Sequence, residues 1–524
     1  MKLSELISRA GIFYRSVGDE DPVIEAIHTD SRRVSKNSLF VCIRGLKQDA
    51  HRYIADAVSH GASAVLAEDE RYRAPDGIPT LYTSDTRAAA ARLWNAWYSE
   101  PARDLKLIAV TGTNGKTTVT YMLHSIFSAA MHPSGIIGTV RSLTPKRELD
   151  LKNADGNANM TTPDPEQLYY ALDQMRKDGA EYVFIEATSH ALALRKLDPL
   201  TFDTAIFTNL TPEHLDFHGN MENYFLAKAS LLTKCRRAII NSDDEWADRY
   251  LSYARAFGCG CRMVTASARD RRTDYFAEDI ALPDTSVSDG GIAYTLRSAS
   301  IIRRIKCPVP GSFTVMNSLE AAACACEYGI SARAVAEALS SFSGTPGRLE
   351  RVRLGAGFPA RLYIDYAHTP DALENLLRTA RDFTSGDGRL WLVIGCGGDR
   401  DRSKRSEMAR IASHMADFVV LTSDNSRSES PIDIISEMTK GLDRRTPHAV
   451  IVDRKSAIEY AVDNAKCGDV ILLAGKGHEQ YEIDAAGRHP FDEKALAQAA
   501  AEKRLKRDAG VRPKVTRKDS HNEG

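Results

Sequence analysis

A glycine-rich turn between a predicted buried strand and a predicted amphipathic helix constrains this chain more than any other feature. The strand pattern covers residues 105–110, the turn reads Thr-Gly-Thr-Asn-Gly-Lys-Thr-Thr over residues 111–118, and helical periodicity continues to residue 130. In this order of elements, backbone N–H groups and a helix N-terminus can surround phosphate oxygens. The pattern therefore predicts a mostly parallel α/β sheet with a nucleotide site at its carboxyl edge.

Lys116 and the two threonines after it carry the chemistry expected of this turn. Lys116 supplies a positive charge to the phosphates, and the hydroxyl of Thr117 or Thr118 can bind Mg²⁺. Val110 occupies the position of the first glycine in the common phosphate-loop pattern, and a plain glycine turn is the alternative interpretation. The candidate ATP-binding residues of the turn are Gly112, Thr113, Asn114, Gly115, Lys116, Thr117 and Thr118.

Polar side chains at the ends of two later strands are candidate magnesium ligands. Glu186 directly follows the apolar residues 182–185, and His214 lies shortly after the apolar residues 204–207. Each of these side chains, taken alone, is more typical of a polar surface position. Because the carboxyl ends of parallel strands meet at one edge of a sheet, their joint placement near the phosphate turn favours a metal site.

Chain length and hydrophobic pattern predict three domains. At roughly 100 to 200 residues per domain, 524 residues suggest about three. We expect a small N-terminal α/β domain over residues 1–100 and a central ATP-binding domain over residues 101–343. Strand patterns alternate with helices over residues 344–502, which predicts a Rossmann-like C-terminal domain. Residues 503–524 are basic and poor in large apolar side chains, so we expect a disordered tail.

Composition narrows the cellular setting and the partners. Lys and Arg (69) balance Asp and Glu (70), so the chain lacks the basic excess typical of nucleic-acid-binding proteins. The 9 cysteines are scattered, and their spacing favours reduced thiols over a zinc site. No apolar run has the length of a signal peptide or a membrane span. These features predict a cytoplasmic protein that does not insert into membranes.

Several motifs resemble those of the Mur ligases, a family of ATP-dependent amide ligases. The motifs that resemble the UDP-sugar domain and the nucleotide site of the family lie at residues 29–32, 111–118, 186–190, 208–219 and 365–371. The motifs that resemble its amino-acid pocket lie at residues 395–402, 424–427 and 475–479. The resemblance extends over about residues 20–495, and the number of separate motifs argues against a chance match.

The resemblance implies a three-domain enzyme of peptidoglycan synthesis, and thereby of cell shape and division. The motifs match the branch that adds the third, usually dibasic, amino acid to UDP-N-acetylmuramoyl-L-alanyl-D-glutamate. In this family ATP phosphorylates the D-glutamate γ-carboxylate, and the incoming amine then displaces phosphate from the acyl phosphate. The implied cofactors are ATP and Mg²⁺, and catalysis is expected to require domain closure.

The same resemblance assigns catalytic roles. Lys228 is expected to react with CO₂ and to become N6-carboxylysine, which would join Thr117, Glu186 and His214 as a magnesium ligand. Lys116, Lys228 and His214 are the implied catalytic residues. Read without the resemblance, Lys228 is an ordinary helix lysine.

The resemblance also assigns contacts to the two nucleotide ligands. Asn317 is expected at the ATP base, and Arg348 and Asp365 at its phosphate and ribose. The implied contacts of the UDP-sugar dipeptide are Ser31, Thr161, Thr162, Thr188, Ser189 and Lys196. Arg195 is the alternative to Lys196 as the cation that meets the substrate carboxylate.

The pocket motifs favour meso-diaminopimelate as the incoming amino acid. The implied contacts of this amino acid are Arg400, Asp424, Asn425, Arg427, Gly475 and Glu479. The guanidinium of Arg427 can bind the distal carboxylate of diaminopimelate in a bidentate fork. Ser426 replaces the proline that usually precedes this arginine, so the use of L-ornithine or L-lysine stays open.

Other classes of protein compete with this interpretation. The sister enzymes are the folylpolyglutamate synthetases and MurF, which share the phosphate loop and the Glu/His ligands. A non-catalytic nucleotide-binding protein of the same fold is a third possibility, although Lys116, Glu186, His214 and Lys228 are all present. We expect a monomer.

Overall fold

The computed structural model describes residues 1–45, 48–151, 160–283, 291–384 and 386–510. The chain forms two compact units. The first unit consists of Met1–Asp279, Tyr294–Ile305 and Val315–Ser340. The second unit consists of Ile280–Ala293, Lys306–Thr314 and Ser341–Gly524. The predicted division into three domains at residues 100 and 343 stays a prediction.

The N-terminal part of the first unit is a five-stranded sheet of order β1-β5-β4-β3-β2. Its strands are β1 (Arg15–Val17), β2 (Ala26–His28), β3 (Ser38–Val41), β4 (Ala62–Ala67) and β5 (Thr80–Tyr82). Its helices are α1 (Leu3–Arg9), α2 (Ile54–Ser59) and α3 (Thr86–Trp97), with 3-10 turns at Ser31–Arg33, Ala50–Tyr53 and Pro101–Asp104. Strands β2 to β5 are parallel, and β1 pairs with β5 antiparallel.

An eleven-stranded sheet carries the candidate nucleotide site, in the order β16-β15-β14-β13-β12-β11-β6-β10-β7-β8-β9. Its strands are β6 (Lys106–Thr111), β7 (Ser134–Ile137), β8 (Ser142–Leu143), β9 (Glu148–Leu149), β10 (Tyr182–Glu186), β11 (Thr204–Phe207), β12 (Arg237–Asn241), β13 (Arg262–Ser267), β14 (Tyr275–Ala281), β15 (Ile292–Arg297) and β16 (Ile302–Cys307). Its helices are α4 (Lys116–Ala129), α5 (Pro165–Lys177), α6 (Ser189–Ala193), α7 (Leu215–His218), α8 (Met221–Ala229), α9 (Ala247–Ala256), α10 (Phe313–Glu327) and α11 (Ala332–Ser340), with a 3-10 turn at Ser230–Lys234.

The central strand β6 shows why the sequence folds in this way. Strands β10 and β11 flank β6, and both pair with it in parallel. Five of its six residues are buried, because parallel strands are covered by helices on both faces and need apolar side chains on both. The prediction of a mostly parallel sheet with a phosphate loop after residue 110 is confirmed.

The second unit is built on a six-stranded sheet of order β17-β18-β22-β19-β20-β21, with a separate hairpin of β23 and β24. Its strands are β17 (Glu350–Val352), β18 (Arg361–Asp365), β19 (Leu390–Ile394), β20 (Phe418–Leu421), β21 (His448–Val450), β22 (Val470–Ala474), β23 (Tyr481–Asp484) and β24 (Gly487–Pro490). Its helices are α12 (Pro370–Phe383), α13 (Ser403–Met415), α14 (Pro431–Thr439), α15 (Arg454–Asn464) and α16 (Glu493–Gly510). One hydrophobic cluster lies on each face of this sheet, which confirms the predicted Rossmann-like layering.

The expected start of the disordered tail is wrong. Helix α16 continues through residues 503–510, where the sequence shows few large apolar side chains. Arg504 accounts for the difference, because its Nη1 donates to the carbonyl oxygens of Val462 and Ala465 at 2.6 and 2.7 Å. These bonds tie the last helix to the end of α15. Residues 511–524 of the predicted tail lie outside the described residues.

Among the described residues, no helix combines the length and the apolar character needed to cross a bilayer.

Candidate active site

The phosphate turn between β6 and α4 requires glycine at two positions. Gly112 has a φ of +146° and Gly115 a φ of +87°, both in the left-handed region that glycine favours. A Cβ on Gly112 would overlap Oγ1 of Thr208, and a Cβ on Gly115 would lie 2.6 Å from Oδ1 of Asn317. The turn is therefore packed against the end of β11 and against α10, which places Asn317 beside the phosphate loop.

The residues after β11 hold the phosphate turn in shape. The N–H of Thr113 donates to the carbonyl oxygen of Asn209 at 2.9 Å, and the N–H of Asn114 donates to Oδ1 of Asn209 at 2.8 Å. Thr208 donates through Oγ1 to the Asn114 carbonyl at 2.6 Å. Two amides of the turn are thus used internally. Because α4 begins at Lys116 and the first turn of a helix lacks intrahelical acceptors, this helix N-terminus is the part suited to bind phosphate.

Two lysines converge on one carbonyl group of the turn. Lys116 donates through Nζ to the carbonyl oxygens of Gly112 and Thr113 at 2.9 and 2.7 Å. Lys228, on α8, donates through Nζ to the same Gly112 oxygen at 2.8 Å and is only 1 % exposed. Burial, together with the positive charge of Lys116, holds the pKa of Lys228 well below its ordinary value. This environment favours the neutral amine form of the Lys228 side chain.

Glu186 ends β10 as a fully buried carboxylate. Its Oε2 accepts hydrogen bonds from Oγ1 of Thr117 at 2.9 Å and from Oγ1 of Thr139 at 3.0 Å, and its Oε1 accepts from the N–H of Thr139 at 3.0 Å. A Cβ on Gly138 would overlap Oε1 of Glu186, so glycine is needed there. Of the two threonines considered for metal binding, Thr117 contacts Glu186, and Thr118 makes no side-chain hydrogen bond among the described residues.

His214 belongs to a group of three imidazoles after β11 and β10. It has a φ of +56° and precedes α7, and its ring lies edge-on to His190 with centroids 4.7 Å apart. His190 also lies 5.6 Å from the ring of His218. Burial and the neighbouring His214 and His218 lower the pKa of His190 to about 4, so His190 is neutral at physiological pH.

The donor set fits Mg²⁺ in its chemistry. Thr117 and Glu186 present hard oxygen atoms in direct contact, and His214 adds an imidazole at the same sheet edge. Within the described ranges, no three histidine, cysteine or acidic side chains are gathered as a metal cage. Mg²⁺ at nucleotide sites usually takes one or two carboxylates and completes its shell with water and phosphate oxygens, so such a cage is not required.

A cavity of about 700 Å³ in the first unit contains two of the residues predicted for the UDP-sugar ligand, Ser31 and Lys196. Lys196 pairs through Nζ with Oδ1 of Asp164 at 2.8 Å, and both residues line the cavity. Arg195 lies outside this lining and pairs instead with Asp85 at 2.5 Å and with Asp198 at 2.9 Å. The structure thus separates the two cations, with Lys196 in the cavity wall.

The four hydroxyl residues predicted for the dipeptide end cluster near Glu186. Oγ1 of Thr161 lies 2.9 Å from Oγ1 of Thr139, and Thr162 donates to the Glu186 carbonyl oxygen at 2.6 Å. Thr188 lies 3.0 Å from the Thr162 hydroxyl and caps α6. The remaining member, Ser189, lies with Oγ 3.0 Å from Nε2 of His218. These hydroxyls connect the carboxylate to the imidazole group.

The predicted amino-acid pocket lies in the second unit, after β20 and β22. Asn425 donates through Nδ2 to Oε2 of Glu479 at 2.8 Å and accepts from Nζ of Lys476 at 2.9 Å. Burial alone would raise the pKa of Asp424, but the positive charges of Lys476 and Arg454 lower it overall. Asp424 therefore stays a carboxylate.

Glycine at position 475 lets the backbone approach this carboxylate. Gly475 has a φ of +112°, and a Cβ there would lie 2.6 Å from Oδ2 of Asp424. Burial and the charge of Asp424 raise the pKa of Glu479. The pocket thus contains two neighbouring carboxyl groups, Asp424 with a lowered pKa and Glu479 with a raised pKa.

Two arginines lie over a glycine of the loop after β19. A Cβ on Gly397 would lie 3.0 Å from Nη1 of Arg427 and 3.7 Å from Cγ of Arg400. Arg427 donates to the carbonyl oxygens of Gly398 and Asn425 at 2.8 and 3.3 Å. In the part of the chain that the structure describes, neither guanidinium forms an ion pair with a carboxylate. The acid that acts on this side is Asp399, whose pKa the charge of Arg427 helps to lower without a direct ion pair.

Arg348 and Asp365 lie near each other at the end of β18. Asp365 accepts from the N–H groups of Leu349 and Ala367 at 2.7 and 2.8 Å. Burial raises the pKa of Asp365, and Arg348 partly opposes this rise. The Arg348 guanidinium lies 4.9 Å from the ring centroid of Tyr366, which presents a flat aromatic surface beside both residues.

Sequence reasoning missed three residues of these sites. Thr139 shares both oxygens of Glu186, and the Gly-Thr pair directly after β7 was the available signal. Lys476 holds Asn425, and it follows β22 within the recognised Gly-Lys-Gly-His-Glu motif. Tyr366 lies within the recognised Asp-Tyr-Ala-His motif, but only the fold shows its stacking with Arg348.

Three family models match the chain in succession. The model of the Mur ligase family catalytic domain matches residues 23–98, the Mur ligase middle domain matches residues 110–325, and the Mur ligase glutamate ligase domain matches residues 347–477.

Curated relatives and a solved structure share nearly the whole length of the chain. UDP-N-acetylmuramoyl-L-alanyl-D-glutamate--2,6-diaminopimelate ligase of Syntrophomonas wolfei is 39% identical over 505 residues, which are 95% of this chain and 98% of the relative. The ligase of the same name from Geobacillus kaustophilus is 40% identical over 514 residues, covering 96% and 100%. A solved structure of an enzyme with this name has 31% identity and a TM-score of 0.65, and the match covers 92% of this chain and 95% of that one. On the strength of these matches, which span both units, the chain belongs to the Mur ligase family.

Proposed function

We propose that this protein is a MurE-type ligase that adds meso-diaminopimelate to UDP-N-acetylmuramoyl-L-alanyl-D-glutamate at the expense of ATP. The curated relatives described above carry this activity in their names. The observation that carries the proposal for this chain is the composition of its pocket. Arg400 and Arg427 supply two guanidinium groups that form no direct ion pair among the described residues, and Asp424 and Glu479 supply two acidic groups, of which Asp424 has a lowered pKa.

The pocket suits an amino acid whose far end carries both a carboxylate and an ammonium group. A guanidinium binds a carboxylate through two parallel N–H donors, which fits Arg427. An ammonium group needs acceptors, which Asp424 and Glu479 supply. Lysine and ornithine offer the ammonium group alone and would leave the charge of the guanidinium groups unmatched. Diaminopimelate is thus favoured.

The phosphate turn serves the ATP part of the reaction. The N-terminus of α4 and the Lys116 ammonium group orient the phosphates and oppose the negative charge that spreads over the transferring phosphoryl group. Thr117 and Glu186, with His214, would hold Mg²⁺, which supplies charge neutralisation and orientation to the phosphates. Asn317 lies beside Gly115, which is consistent with a contact to the nucleotide.

Lys228 is proposed to act as a carbamate. The neutral Nζ forms a bond to the carbon of CO₂, one proton leaves to solvent, and an anion replaces the amine. This step needs an uncharged lysine, and the buried environment of Lys228 supplies one. The carbamate would also place a negative charge next to the Lys116 ammonium group, whereas a charged Lys228 would be repelled by it.

The acceptor substrate is proposed to occupy the cavity of the first unit. Ser31 would meet its uridine end, and the hydroxyls of Thr162 and Thr188 its peptide end. Lys196 is the cation proposed for its carboxylate, because Lys196 lines the cavity and Arg195 lies outside its lining. The reaction then joins the activated D-glutamate γ-carboxyl to the amine of the incoming amino acid, with release of phosphate.

The rival interpretations are not favoured. Curated relatives with 36–40% identity, which match about 95% of the chain, carry the diaminopimelate ligase name. The charged groups of the pocket favour an incoming amino acid with a second carboxylate. All 9 cysteines are free thiols, which is typical of a reducing compartment. We therefore place the reaction in the cytoplasm.

Phosphate release from ATP tests the proposal directly. Purified protein receives UDP-N-acetylmuramoyl-L-alanyl-D-glutamate and, in parallel, meso-diaminopimelate, L-lysine or L-ornithine. We expect release that depends on the UDP substrate and is fastest with diaminopimelate. Fastest release with lysine or ornithine would keep the ligase and remove the pocket argument, and no release with any of the three would refute the proposal.

A further inference from the structure

Two loops of the second unit run against each other beside the amino-acid pocket. The first loop, residues 395–402, follows β19, and the second loop, residues 422–429, follows β20. The N–H of Gly398 donates to the carbonyl oxygen of Asn425 at 2.9 Å, and a Cβ on Gly398 would overlap the carbonyl oxygen of Ser426. Because the two backbones are in contact, a displacement of one loop displaces the other.

Each loop contains one residue in the left-handed region. Asp399 of the first loop has a φ of +53°, and Arg427 of the second has a φ of +52°. For residues other than glycine this conformation is strained and persists only where neighbouring contacts enforce it. The contacts that hold Asp399 and Arg427 in this conformation therefore identify the residues that fix the positions of the two loops.

Asp399 and Ser428 form a bridge between the loops. The Ser428 hydroxyl donates to Oδ1 of Asp399 at 2.7 Å, and the Ser428 N–H donates to Oδ2 at 3.2 Å. These two bonds from Ser428 lower the pKa of Asp399, so its carboxylate is ionised at neutral pH. Charge-assisted hydrogen bonds of this kind are stronger than neutral ones.

A buried arginine anchors the same bridge from the protein interior. Oε1 of Glu429 accepts from the Asp399 N–H at 2.6 Å. Arg405, a fully buried side chain on α13, donates to both oxygens of Glu429 at 2.7 and 3.0 Å. Arg405 also donates to Glu437 at 2.8 Å. Asp399 is consequently held through its backbone by Glu429 and through its side chain by Ser428.

The guanidinium of Arg427 forms a hydrogen bond with each of the two loops. Its Nη1 donates to Gly398 on the first loop at 2.8 Å and to Asn425 on the second at 3.3 Å. One acceptor therefore belongs to each loop. The position of this guanidinium depends on the distance that the Asp399–Ser428 bridge maintains.

We propose that the bridge between Asp399 and Ser428 positions Arg427 and thereby sets the preference for an amino acid with a second carboxylate. The inference rests on the proposed function, because that carboxylate is the distal one of diaminopimelate. Asp399 and Ser428 are positioning residues, and they act through Arg427. A planar fork that binds a carboxylate in two parallel bonds tolerates small displacements poorly, so a weakened bridge lowers affinity for this group alone.

The test compares Ser428→Ala with the matched control Ser428→Thr. Position 428 is exposed, so both variants should fold, and threonine keeps the hydroxyl donor. KM and kcat are measured for diaminopimelate and for lysine at saturating ATP and UDP substrate. We expect Ser428→Ala to raise KM for diaminopimelate about 3- to 10-fold, with kcat and the KM for lysine unchanged, as for the loss of one hydrogen bond. Ser428→Thr should restore the low KM.

Hydrogen exchange gives a readout without substrate. Backbone amides of residues 395–402 and 422–429 should exchange faster in Ser428→Ala than in the wild type, and at the wild-type rate in Ser428→Thr. Unchanged exchange, or a KM that changes equally for both amino acids, overturns the inference. A wild type that turns over lysine but not diaminopimelate overturns the proposed substrate and the specificity role together, whereas the exchange rates separately decide whether the bridge holds the loops.

Gly397→Ala moves Arg427 by another route. The new Cβ would press on Nη1 of Arg427 from 3.0 Å and leave the Asp399–Ser428 bridge intact. We expect a raised KM for diaminopimelate with unchanged exchange of the two loops. An unaffected KM would show that the guanidinium position does not control recognition, which also contradicts the inference.

Discussion

Lys116 and Lys228 donate hydrogen bonds to the same atom, the carbonyl oxygen of Gly112, at 2.9 and 2.8 Å. Two ammonium groups at one acceptor repel each other, and Lys228 is the more deeply buried of the two. The cost of charging this pair therefore falls on Lys228, whose pKa is held well below its ordinary value. Burial therefore favours the neutral form of Lys228, which the proposed carbamate requires, and leaves Lys116 as the proposed cation at the phosphates.

Lys116→Ala should abolish ligation and preserve the fold. The side chain contacts the carbonyl oxygens of Gly112 and Thr113, and its proposed role is to oppose the charge of the transferring phosphoryl group. We expect kcat/KM for ATP to fall by at least about 100-fold, a typical loss for one preorganised electrostatic group. Phosphate release measures the activity, and circular dichroism checks the fold. Turnover near the wild-type level in a folded variant would contradict the role of Lys116.

Lys228→Ala should lose activity and regain part of it with small carboxylates. A carbamate is an anionic oxygen ligand, and acetate or formate can enter the space that alanine leaves. Phosphate release is measured with and without about 100 mM carboxylate, a concentration chosen to exceed millimolar affinities. Lys228→Gln, which keeps the side-chain length and cannot form a carbamate, is the control. Full activity of Lys228→Ala without added carboxylate would rule out the modification.

The same lysine should make stability depend on pH. The folded-state pKa of Lys228 lies below its unfolded-state value near 10.5, so in the interval between the two the unfolded chain binds one more proton. The free energy of unfolding of the wild type, measured relative to Lys228→Met, should therefore rise with pH in this interval. The slope should be at most about 1.4 kcal/mol per pH unit.

Urea unfolding of the two proteins at pH 7 and pH 9, in buffer free of CO₂, measures this difference. Other titrating groups contribute to both proteins and cancel in the comparison. A relative stability that does not change between pH 7 and pH 9 would show that Lys228 stays charged in the folded state over this interval.

Arg427→Ala should raise KM for diaminopimelate far more than KM for lysine. The variant removes the fork proposed for the distal carboxylate, and a charged hydrogen-bonded contact contributes about 1.5–3 kcal/mol, or roughly a 10- to 150-fold change. Lysine has no such carboxylate and should be little affected. Parallel saturation curves with the two amino acids provide the measurement. Equal effects on both would assign Arg427 a structural role.

Lys196→Ala should raise KM for the UDP substrate, and Arg195→Ala should not. Lys196 lines the cavity of the first unit, whereas Arg195 pairs with Asp85 and Asp198 outside its lining. We expect about a 10-fold increase in KM for Lys196→Ala, the size of one lost charged contact. Arg195→Ala should instead lower the melting temperature slightly, because exposed ion pairs contribute about 0.2–1 kcal/mol. The reverse pattern would make Arg195 the substrate cation.

Local patterns along the chain determined the fold class and the family of this protein. The apolar run of β6, the glycine turn and the start of α4 are set by neighbours in the sequence, because backbone conformation and burial on both faces follow from residues close together. The same holds for the motif residues Glu186, His214 and Arg427, which directly follow or lie near strand ends. These residues could be placed at sheet edges without any coordinates.

Only the tertiary structure decided which side chains meet. Lys228 and Gly112 are 116 positions apart, and nothing local indicates that this helix lysine is buried against the phosphate turn. Lys196 and Arg195 are neighbours in sequence, yet only one of them lines the cavity. Likewise, α16 continues past residue 503 because Arg504 donates a hydrogen bond to the Val462 carbonyl oxygen near the end of α15. Burial, pKa and pairing depend on groups brought together from distant parts of the chain, and the sequence pattern does not contain those distances.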